Sequence, residues 1–259
     1  MAGEVLLERD AGIATVVLSN PERMNALTLP MWLQVGEQMR ALSADTSLRC
    51  VVLKGAGGNA FAAGADISEF ATVRANAAQA KIYGEQIASS MRAVAECLHP
   101  TIALIAGACV GGGLELASQC DLRICNASAR FGVPIKNLGL VVAYDEMAGL
   151  INLVGRATAL EILLEGRILN AQEAYEKGLV NRVVADQDIV NEGLAMAQRI
   201  AAGAPLVARW HKKFARRLAS ATPLSDAEYA ESYACFDTQD FRLGVAAFLE
   251  KKKPSFVGR

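Results

Sequence analysis

The sequence predicts an α/β fold in which parallel strands pair and helices connect them. Short apolar segments alternate with helical patterns, and two glycine-rich loops each follow one of these apolar segments. The composition agrees, because 53% of the 259 residues are hydrophobic and 20% are charged. A chain of this length and composition can bury a large core, which excludes a disordered protein.

The first half of the chain predicts a hairpin followed by alternating strands and helices. Thr28 is a typical N-cap residue, and Pro30 falls in the first turn of the helix that would follow it. The glycine-rich loops follow the third and fourth predicted strands, and the second loop opens into a short helix. The predicted strands are Val5–Glu8, Ile13–Leu18, Leu48–Leu53, Thr101–Ala106 and Leu122–Cys125.

The second half of the chain predicts helices. One of them spans Ala171–Lys177 and ends at Gly178, where a C-terminal glycine is expected. A later amphipathic helix places Leu206, Trp210 and Phe214 on one face. Its basic residues, Arg209–Arg217, are interpreted as a solvated face, with a phosphate contact as the alternative.

Charge and cysteine content exclude several classes of protein. The 26 basic and 27 acidic side chains give a net charge of −1, which argues against nucleic acid as a partner. Six cysteines without a CxxC pair predict reduced, buried thiols and a cytoplasmic location. We predict no membrane segment and no targeting peptide. The two histidines, His99 and His211, lack metal-ligand spacing, so no metal site is predicted.

The two glycine-rich loops, Gly55–Asp66 and Gly107–Gly113, are the main candidates for a functional site. Ligands of α/β domains bind at the carboxyl ends of strands, where loop amides and helix N-termini point outward. Two adjacent loops could therefore direct two N–H groups at one oxygen and stabilise a developing oxyanion. The structural alternative is that the glycines only form tight turns.

Several acidic side chains are candidates for proton transfer. Glu115 lies between two leucines near the start of a predicted helix, where burial would raise its pKa toward a value useful for acid–base chemistry. The alternative is a solvent-facing glutamate favoured by the helix dipole. Tyr144, Asp145 and Glu146 open another helix, either as ordinary first-turn residues or as proton donors.

Four stretches of the sequence match a known pattern: NPERMNAL at Asn20–Leu27, FAAGADI at Phe61–Ile67, AGACVGGGLELASQCD at Ala106–Asp121 and AAFLEKKKPSF at Ala246–Phe256. With these stretches the chain resembles the crotonase superfamily, the enoyl-CoA hydratase and isomerase group. The resemblance implies a spiral of ββα units in residues 1–195 and a helical trimerisation region in residues 196–259. It also implies assembly into trimers or dimers of trimers, and an acyl-CoA thioester as substrate, with coenzyme A as part of that substrate and no separate cofactor.

The resemblance also assigns roles to individual residues. The amides of Ala65 and Gly112 would hold the thioester oxygen, and Glu115 would be the first of the two glutamates that family hydratases use. The substrate-binding residues implied are Ala63, Ala65, Asp66, Ile67, Gly112 and Ile135, with Arg23 and Lys251 as phosphate partners, Lys251 reaching the ligand of a neighbouring subunit.

One departure from the family pattern leaves the reaction open. Ile135 stands where family hydratases carry their second glutamate. Hydration remains the leading prediction, with Glu115 activating water and Tyr144, Asp145 or Glu146 supplying the other proton. Decarboxylation or hydrolysis of an acyl-CoA is the first alternative, since Ile135 would form an apolar wall and Tyr144 a proton donor. A non-catalytic protein that binds acyl-CoA or RNA is the second.

Overall fold

The computed structural model describes residues 3–259. The strands are β1 Glu4–Asp10, β2 Ile13–Ser19, β3 Cys50–Gly55, β4 Ala60–Ala62, β5 Thr101–Ile105, β6 Ala108–Val110, β7 Leu122–Asn126, β8 Arg130–Gly132, β9 Leu169–Asn170 and β10 Arg182–Val184. The helices are α1 Leu29–Ala44, α2 Phe70–Val73, α3 Ala77–Ala95, α4 Gly112–Ser118, α5 Tyr144–Glu165, α6 Ala171–Glu176, α7 Ile189–Ala201, α8 Pro205–Leu218, α9 Asp226–Glu231 and α10 Gln239–Leu249.

The strands form two sheets that the chain visits in turn. The larger sheet has the order β1-β2-β3-β5-β7-β10, and the smaller has the order β4-β6-β8-β9. All neighbours pair in parallel except β1 with β2 and β8 with β9. Each of β3, β5 and β7 is followed by a short strand of the smaller sheet, and a helix then returns the chain after the first two of these pairs. This arrangement confirms the α/β fold and the spiral of ββα units.

The short strands β4 and β6 lie inside the two segments that the sequence predicts as loops. Each contains only three residues, drawn mostly from alanine, cysteine and valine. Such short segments carry no alternating pattern that would distinguish a strand from a turn. Their parallel pairing brings the two glycine-rich segments side by side, which is the fold's main contribution to the site.

Helices cover both faces of the larger sheet. On one face α1 packs against α3, and Trp32, Met39 and Met91 join the larger hydrophobic core there. On the other face α7 packs against β3 and β5. Met196 and Ala197 of α7 are buried in that second core, so the predicted domain boundary between residues 195 and 196 falls inside a helix that belongs to the packed sheet.

Two basic side chains of α8 anchor this helix to the core. The Lys212 side chain is 7% exposed and forms an ion pair with Asp121 at 2.7 Å. The guanidinium of Arg209 donates to the carbonyl oxygens of Thr46 and Leu48. The prediction of a solvated basic face is therefore wrong for these two residues, because they bond to the loops that precede β3 and β7.

Helix α5 alone among residues 3–259 is long and apolar enough to cross a membrane, by length and composition only. Its backbone is interrupted at Gly155, where φ is 75° and ψ is 163°. The helix contacts α4 and α3 of the core, so its first residues are positioned beside the second glycine-rich segment.

We predict that the close packing of α4 on β4 makes Gly113 sensitive to a single methyl group. A Cβ atom at this position would lie 2.3 Å from the carbonyl oxygen of Ala62, so the Gly113→Ala variant must move the helix away from the strand. We expect the free energy of unfolding to fall by about 1–3 kcal/mol. Denaturation by urea, followed by tryptophan fluorescence, measures this change.

The matched control is Gly84→Ala in the interior of α3. A Cβ atom there meets no atom within 4 Å, so the gain in helix propensity should stabilise the protein by up to about 1 kcal/mol. Equal effects of the two variants would contradict the packing argument.

Candidate active site

A cavity of about 310 Å³ lies where the two glycine-rich segments meet α3 and the start of α5. Its wall is mainly apolar, with a few polar groups directed inward, as is typical of a small-molecule site. The residues that line it are Trp32, Ala63, Gly64, Ala65, Ile67, Phe70, Arg74, Tyr83, Ile87, Val110, Gly111, Gly112, Glu115, Pro134, Ile135, Asn137, Leu138, Leu140, Val141 and Glu146.

The first polar feature of the cavity is the backbone amide of Ala65. The carbonyl of Gly64 accepts a hydrogen bond from the amide of Leu27 at 2.7 Å, and the amide of Asp66 donates to the carbonyl of Leu27 at 2.9 Å. Peptide groups of extended backbone point alternately to opposite sides. The N–H of Ala65 therefore points away from Leu27, and within residues 3–259 it donates to no protein acceptor.

The second polar feature is the backbone amide of Gly112. This residue begins α4, so its N–H is one of the four that a helix leaves without an internal acceptor. The amide of the preceding Gly111 donates to Gly132 at 2.8 Å, which fixes the turn. A Cβ atom on Gly112 would lie 3.5 Å from the nitrogen of Ala65, so the two free amides are neighbours.

Glycine is required at the point of closest approach. Gly64 has a φ of 103°, a conformation that residues with a side chain rarely adopt. A Cβ atom there would also lie 3.1 Å from the carbonyl oxygen of Val110 and 3.3 Å from the nitrogen of Gly112. A side chain would thus push the two segments apart and separate the amides.

Glu115 contributes a buried carboxyl group from the first turns of α4. The residue is 7% exposed, and its side chain forms no hydrogen bond or ion pair with another described residue. Burial is the largest cause that raises the pKa of Glu115 to about 8, and the nearby Glu146 raises it further, while Arg74 lowers it. The structure therefore agrees with the buried reading of this glutamate, and its carboxyl is protonated at neutral pH.

Glu146 supplies a second carboxyl group to the same cavity. Its Oε2 atom accepts a hydrogen bond from the amide of Ala143, the N-cap residue of α5, at 2.9 Å. This bond holds the side chain at the helix start, where it lines the cavity. It is also close enough to act on the charge of Glu115. The sequence identified Glu146 as one of three candidates, and the structure places it beside Glu115.

The other two candidates on α5 lie outside the cavity. The side chain of Tyr144 is directed to solvent, since the residue is 94% exposed. Asp145 forms an ion pair with Arg92 of α3 at 3.1 Å and does not line the cavity either. The helix turn of about 100° per residue explains why only one of three consecutive side chains faces the site.

The structure brings some of the predicted substrate-binding residues together and separates others. Ala63, Ile67 and Ile135 line the cavity. Asp66 does not, because its carboxylate binds Ser68 and, at 2.6 Å, the guanidinium of Arg23. Hydrogen bonds from Ser68 are the largest cause that lowers the pKa of Asp66.

The two predicted phosphate partners lie on the protein surface. The side chain of Arg23 is 57% exposed and also donates to Ser68 at 2.9 Å. Lys251 is exposed just after α10, where its φ is 54°, and it does not line the cavity of its own chain. Their predicted contacts with coenzyme A stay predictions. Within residues 3–259 there is also no group of three or more His, Cys, Asp or Glu side chains that could hold a metal.

Sequence reasoning missed the side of the cavity formed by α2 and α3. Tyr83 and Ile87 are four residues apart on one face of α3, a spacing that could have identified a buried stripe. Phe70 and Arg74 carry the same spacing at α2. Nothing in the sequence indicated that these two pairs face the glycine-rich segments.

Comparison with known proteins gives one consistent result. Residues 8–259 match the model of the protein family described as enoyl-CoA hydratase/isomerase. A crotonyl-CoA hydratase of Syntrophomonas wolfei subsp. wolfei is 33% identical over 258 residues, which cover 98% of each chain. A short-chain-enoyl-CoA hydratase of Clostridium acetobutylicum is 31% identical over 254 residues, which cover 96% of this chain and 95% of that one.

A solved structure agrees more closely. The crystal structure of an enoyl-CoA hydratase/carnithine racemase from Magnetospirillum magneticum has a TM-score of 0.97 and 52% identity to this chain. The match covers 98% of this chain and 96% of the other. A crystal structure of an enoyl-CoA hydratase from Bacillus anthracis has a TM-score of 0.92 at 28% identity, covering 99% of this chain and all of the other.

We predict that the buried carboxyl of Glu115 makes stability depend on pH. Between its ordinary pKa of 4.5 and about 8, the unfolded carboxyl is ionised while the folded one keeps its proton, so the free energy of unfolding falls as pH rises. The Glu115→Gln variant lacks this loss. Its free energy of unfolding, relative to that of the native protein, should therefore rise by at least about 1 kcal/mol from pH 5 to pH 8.5.

Urea denaturation at the two pH values measures this difference. The matched control is Glu85→Gln on the exposed side of α3, whose difference from the native protein should stay constant. A constant difference for Glu115→Gln as well would show that its carboxyl ionises normally in the folded state.

Proposed function

Because the chain belongs to the enoyl-CoA hydratase/isomerase family, we propose that it adds water to the double bond of an enoyl-CoA thioester. One observation carries the proposal: two carboxyl groups and two free amides face a single cavity. Relatives named crotonyl-CoA hydratase and short-chain-enoyl-CoA hydratase, each more than 30% identical over nearly the whole chain, support it.

The two amides would form the oxyanion hole. Attack on the β-carbon moves the electron pair of the double bond toward the thioester, and negative charge develops on its carbonyl oxygen. The N–H groups of Ala65 and Gly112 would donate to that oxygen from fixed positions, so no reorganisation is needed as the charge forms. Loss of one such donor typically costs about 2.7–4 kcal/mol of transition-state stabilisation.

The two carboxyl groups would divide the proton transfers between them. Glu146 would accept a proton from water as the water oxygen bonds to the β-carbon. Glu115, which holds its proton at neutral pH, would deliver it to the α-carbon of the enolate. Glu146 gains one proton and Glu115 loses one, so the two carboxyl groups together still carry a single proton after the reaction. The sequence analysis predicted that Glu115 activates water, whereas here it donates a proton to the enolate.

Glu146 would replace the glutamate that is missing at position 135. Ile135 lines the cavity from the 3₁₀ helix Ile135–Leu138, while Glu146 enters it from the start of α5. The second carboxyl of the pair would thus come from a different element of the fold. Hydration is therefore compatible with an apolar residue at position 135.

A second candidate, decarboxylation of an acyl-CoA, is favoured by the side chain of Ile135. An apolar wall disfavours a bound carboxylate and promotes its loss as carbon dioxide, and the same two amides would hold the enolate that remains. The carboxyl of Glu146 weighs against it, because its negative charge would repel a carboxylate carried on the α-carbon beside the two amides. Release of carbon dioxide from malonyl-type thioesters tests this candidate.

We further propose that the enzyme works as a trimer or a dimer of trimers. Large apolar side chains of the C-terminal helices support this, since Phe248 is 82% exposed and Leu249 is 75% exposed in the single chain. In such an assembly Lys251, two residues beyond Leu249, would reach the coenzyme A phosphates of a neighbouring subunit.

We predict that both carboxyl groups are needed for hydration of crotonyl-CoA. The Glu115→Gln and Glu146→Gln variants should each lose about 10²–10⁴-fold in kcat, the contribution typical of a positioned acid or base. The assay follows loss of the absorbance of the conjugated thioester. The native rate should also fall above pH 8 or so, as Glu115 loses the proton it donates.

The matched control is Glu85→Gln, a surface glutamate outside the cavity, which should keep the native rate. If Glu146→Gln keeps full activity while Tyr144→Phe or Asp145→Asn loses it, the residue that accepts the proton of water is Tyr144 or Asp145 and not Glu146. Absence of hydration in the native protein, with release of carbon dioxide or of free thiol, would replace hydration by decarboxylation or hydrolysis.

A further inference from the structure

Arg74 carries a positive charge in the wall of the cavity, and no acceptor or carboxylate of residues 3–259 pairs with it. Its side chain lines the cavity and is half-buried. Within residues 3–259 its guanidinium donates no hydrogen bond and forms no ion pair. A guanidinium has five N–H donors in a fixed plane, and it pairs best with a carboxylate or phosphate. The donors of Arg74 are thus available to a ligand.

Two aromatic rings hold this guanidinium in place. Its central carbon lies 4.7 Å from the ring centre of Phe70 and 4.9 Å from that of Tyr83. The two rings meet edge to face, with centres 6.5 Å apart. Cation–π contacts of this kind hold the group without using its N–H donors. Arg74 is therefore oriented before any ligand binds, which lowers the entropic cost of binding one.

The charges of the cavity allow an additional anion. Glu115 is protonated at neutral pH, so it does not neutralise the guanidinium of Arg74. Glu146 uses one oxygen to cap α5, and it is not within ion-pair distance of Arg74. The wall in contact with the guanidinium of Arg74 is aromatic, through Phe70 and Tyr83. A ligand carboxylate is the group that would balance this charge.

We propose that the acyl group of the substrate ends in a carboxylate, which Arg74 binds in the wall of the cavity. The substrate class is thus a dicarboxylic mono-thioester of coenzyme A. This inference rests on the proposed function, because it assumes that the thioester carbonyl binds at Ala65 and Gly112. The residue sets which acyl group is accepted and does not itself donate or accept a proton.

Equilibrium binding tests the proposal without any reaction. Glutaryl-CoA and adipyl-CoA are titrated calorimetrically into the full-length native protein, each against the ω-amide of the same length. The acid of at least one pair should bind about tenfold tighter or more than its amide, the advantage expected of a hydrogen-bonded ion pair. Equal binding of acid and amide in both pairs would overturn the proposal.

Variants of Arg74 then assign the preference to this side chain. Arg74→Met keeps the apolar stem between the rings, and it should reduce the preference to about twofold or less. Arg74→Lys should keep part of it, since the charge remains while the planar fork is lost. Butyryl-CoA, which has no terminal carboxylate, gives the baseline affinity of each variant, so the ratio of acid to amide binding isolates the effect of the charge. An undiminished preference in Arg74→Met would also overturn the proposal.

The matched control is Arg40→Met, an exposed arginine of α1 outside the cavity, which should keep the native preference. The two proposals fail in different ways. If the protein does not hydrate crotonyl-CoA but keeps the Arg74-dependent preference, the hydratase proposal is wrong and the substrate-class proposal stands. If it hydrates crotonyl-CoA but binds acid and amide equally, the hydratase proposal stands and the substrate-class proposal is wrong. If it binds none of the thioesters, both proposals are wrong.

Discussion

The close approach of two backbone segments, at Gly64–Ala65 and Gly111–Gly112, is the constraint on which the rest of the site depends. Parallel pairing of β4 with β6 brings the segments together, and glycine allows the final contact. Leu27 pairs with Gly64 and Asp66 along one side of their segment, so the N–H of Ala65 points to the opposite side. The N–H of Gly112 is free because this residue is the first of α4. In the proposed reaction the charge-stabilising groups thus belong to the main chain, so side chains around them can vary without changing their positions.

Around these amides the fold holds two ionisable groups that have no ion-pair partner among residues 3–259. Glu115 is a carboxyl whose burial disfavours its charge, and Arg74 is a cation held by two aromatic rings. Such groups are kept at functional sites although an apolar residue would pack better. The two groups lie on different elements. Glu115 lies on α4, which is buried in the core, whereas Arg74 lies at the end of α2, which is a single helical turn. In the two proposals, reaction chemistry and substrate choice are therefore carried by different elements.

The sequence predicted the features that local patterns determine. Alternation and apolar runs located the hairpin and every strand of the larger sheet except β10, and Thr28 does cap α1 by accepting from the amide of Met31. Composition could not reveal strands as short as β4 and β6, and spacing could not show which of Tyr144, Asp145 and Glu146 faces the cavity. That choice depends on how α5 docks against α4, which is a tertiary property. The location in the cytoplasm stays a prediction from the thiols, of which five are buried and all six are free.

A crystal structure with a saturated acyl-CoA bound tests the central claim most directly. If the two amides form the oxyanion hole, the thioester oxygen lies within about 2.7–3.2 Å of both the Ala65 and the Gly112 nitrogens, with Glu115 and Glu146 on either side of the α- and β-carbons. A thioester oxygen that faces any other part of the cavity, with both amides left to water, would contradict it.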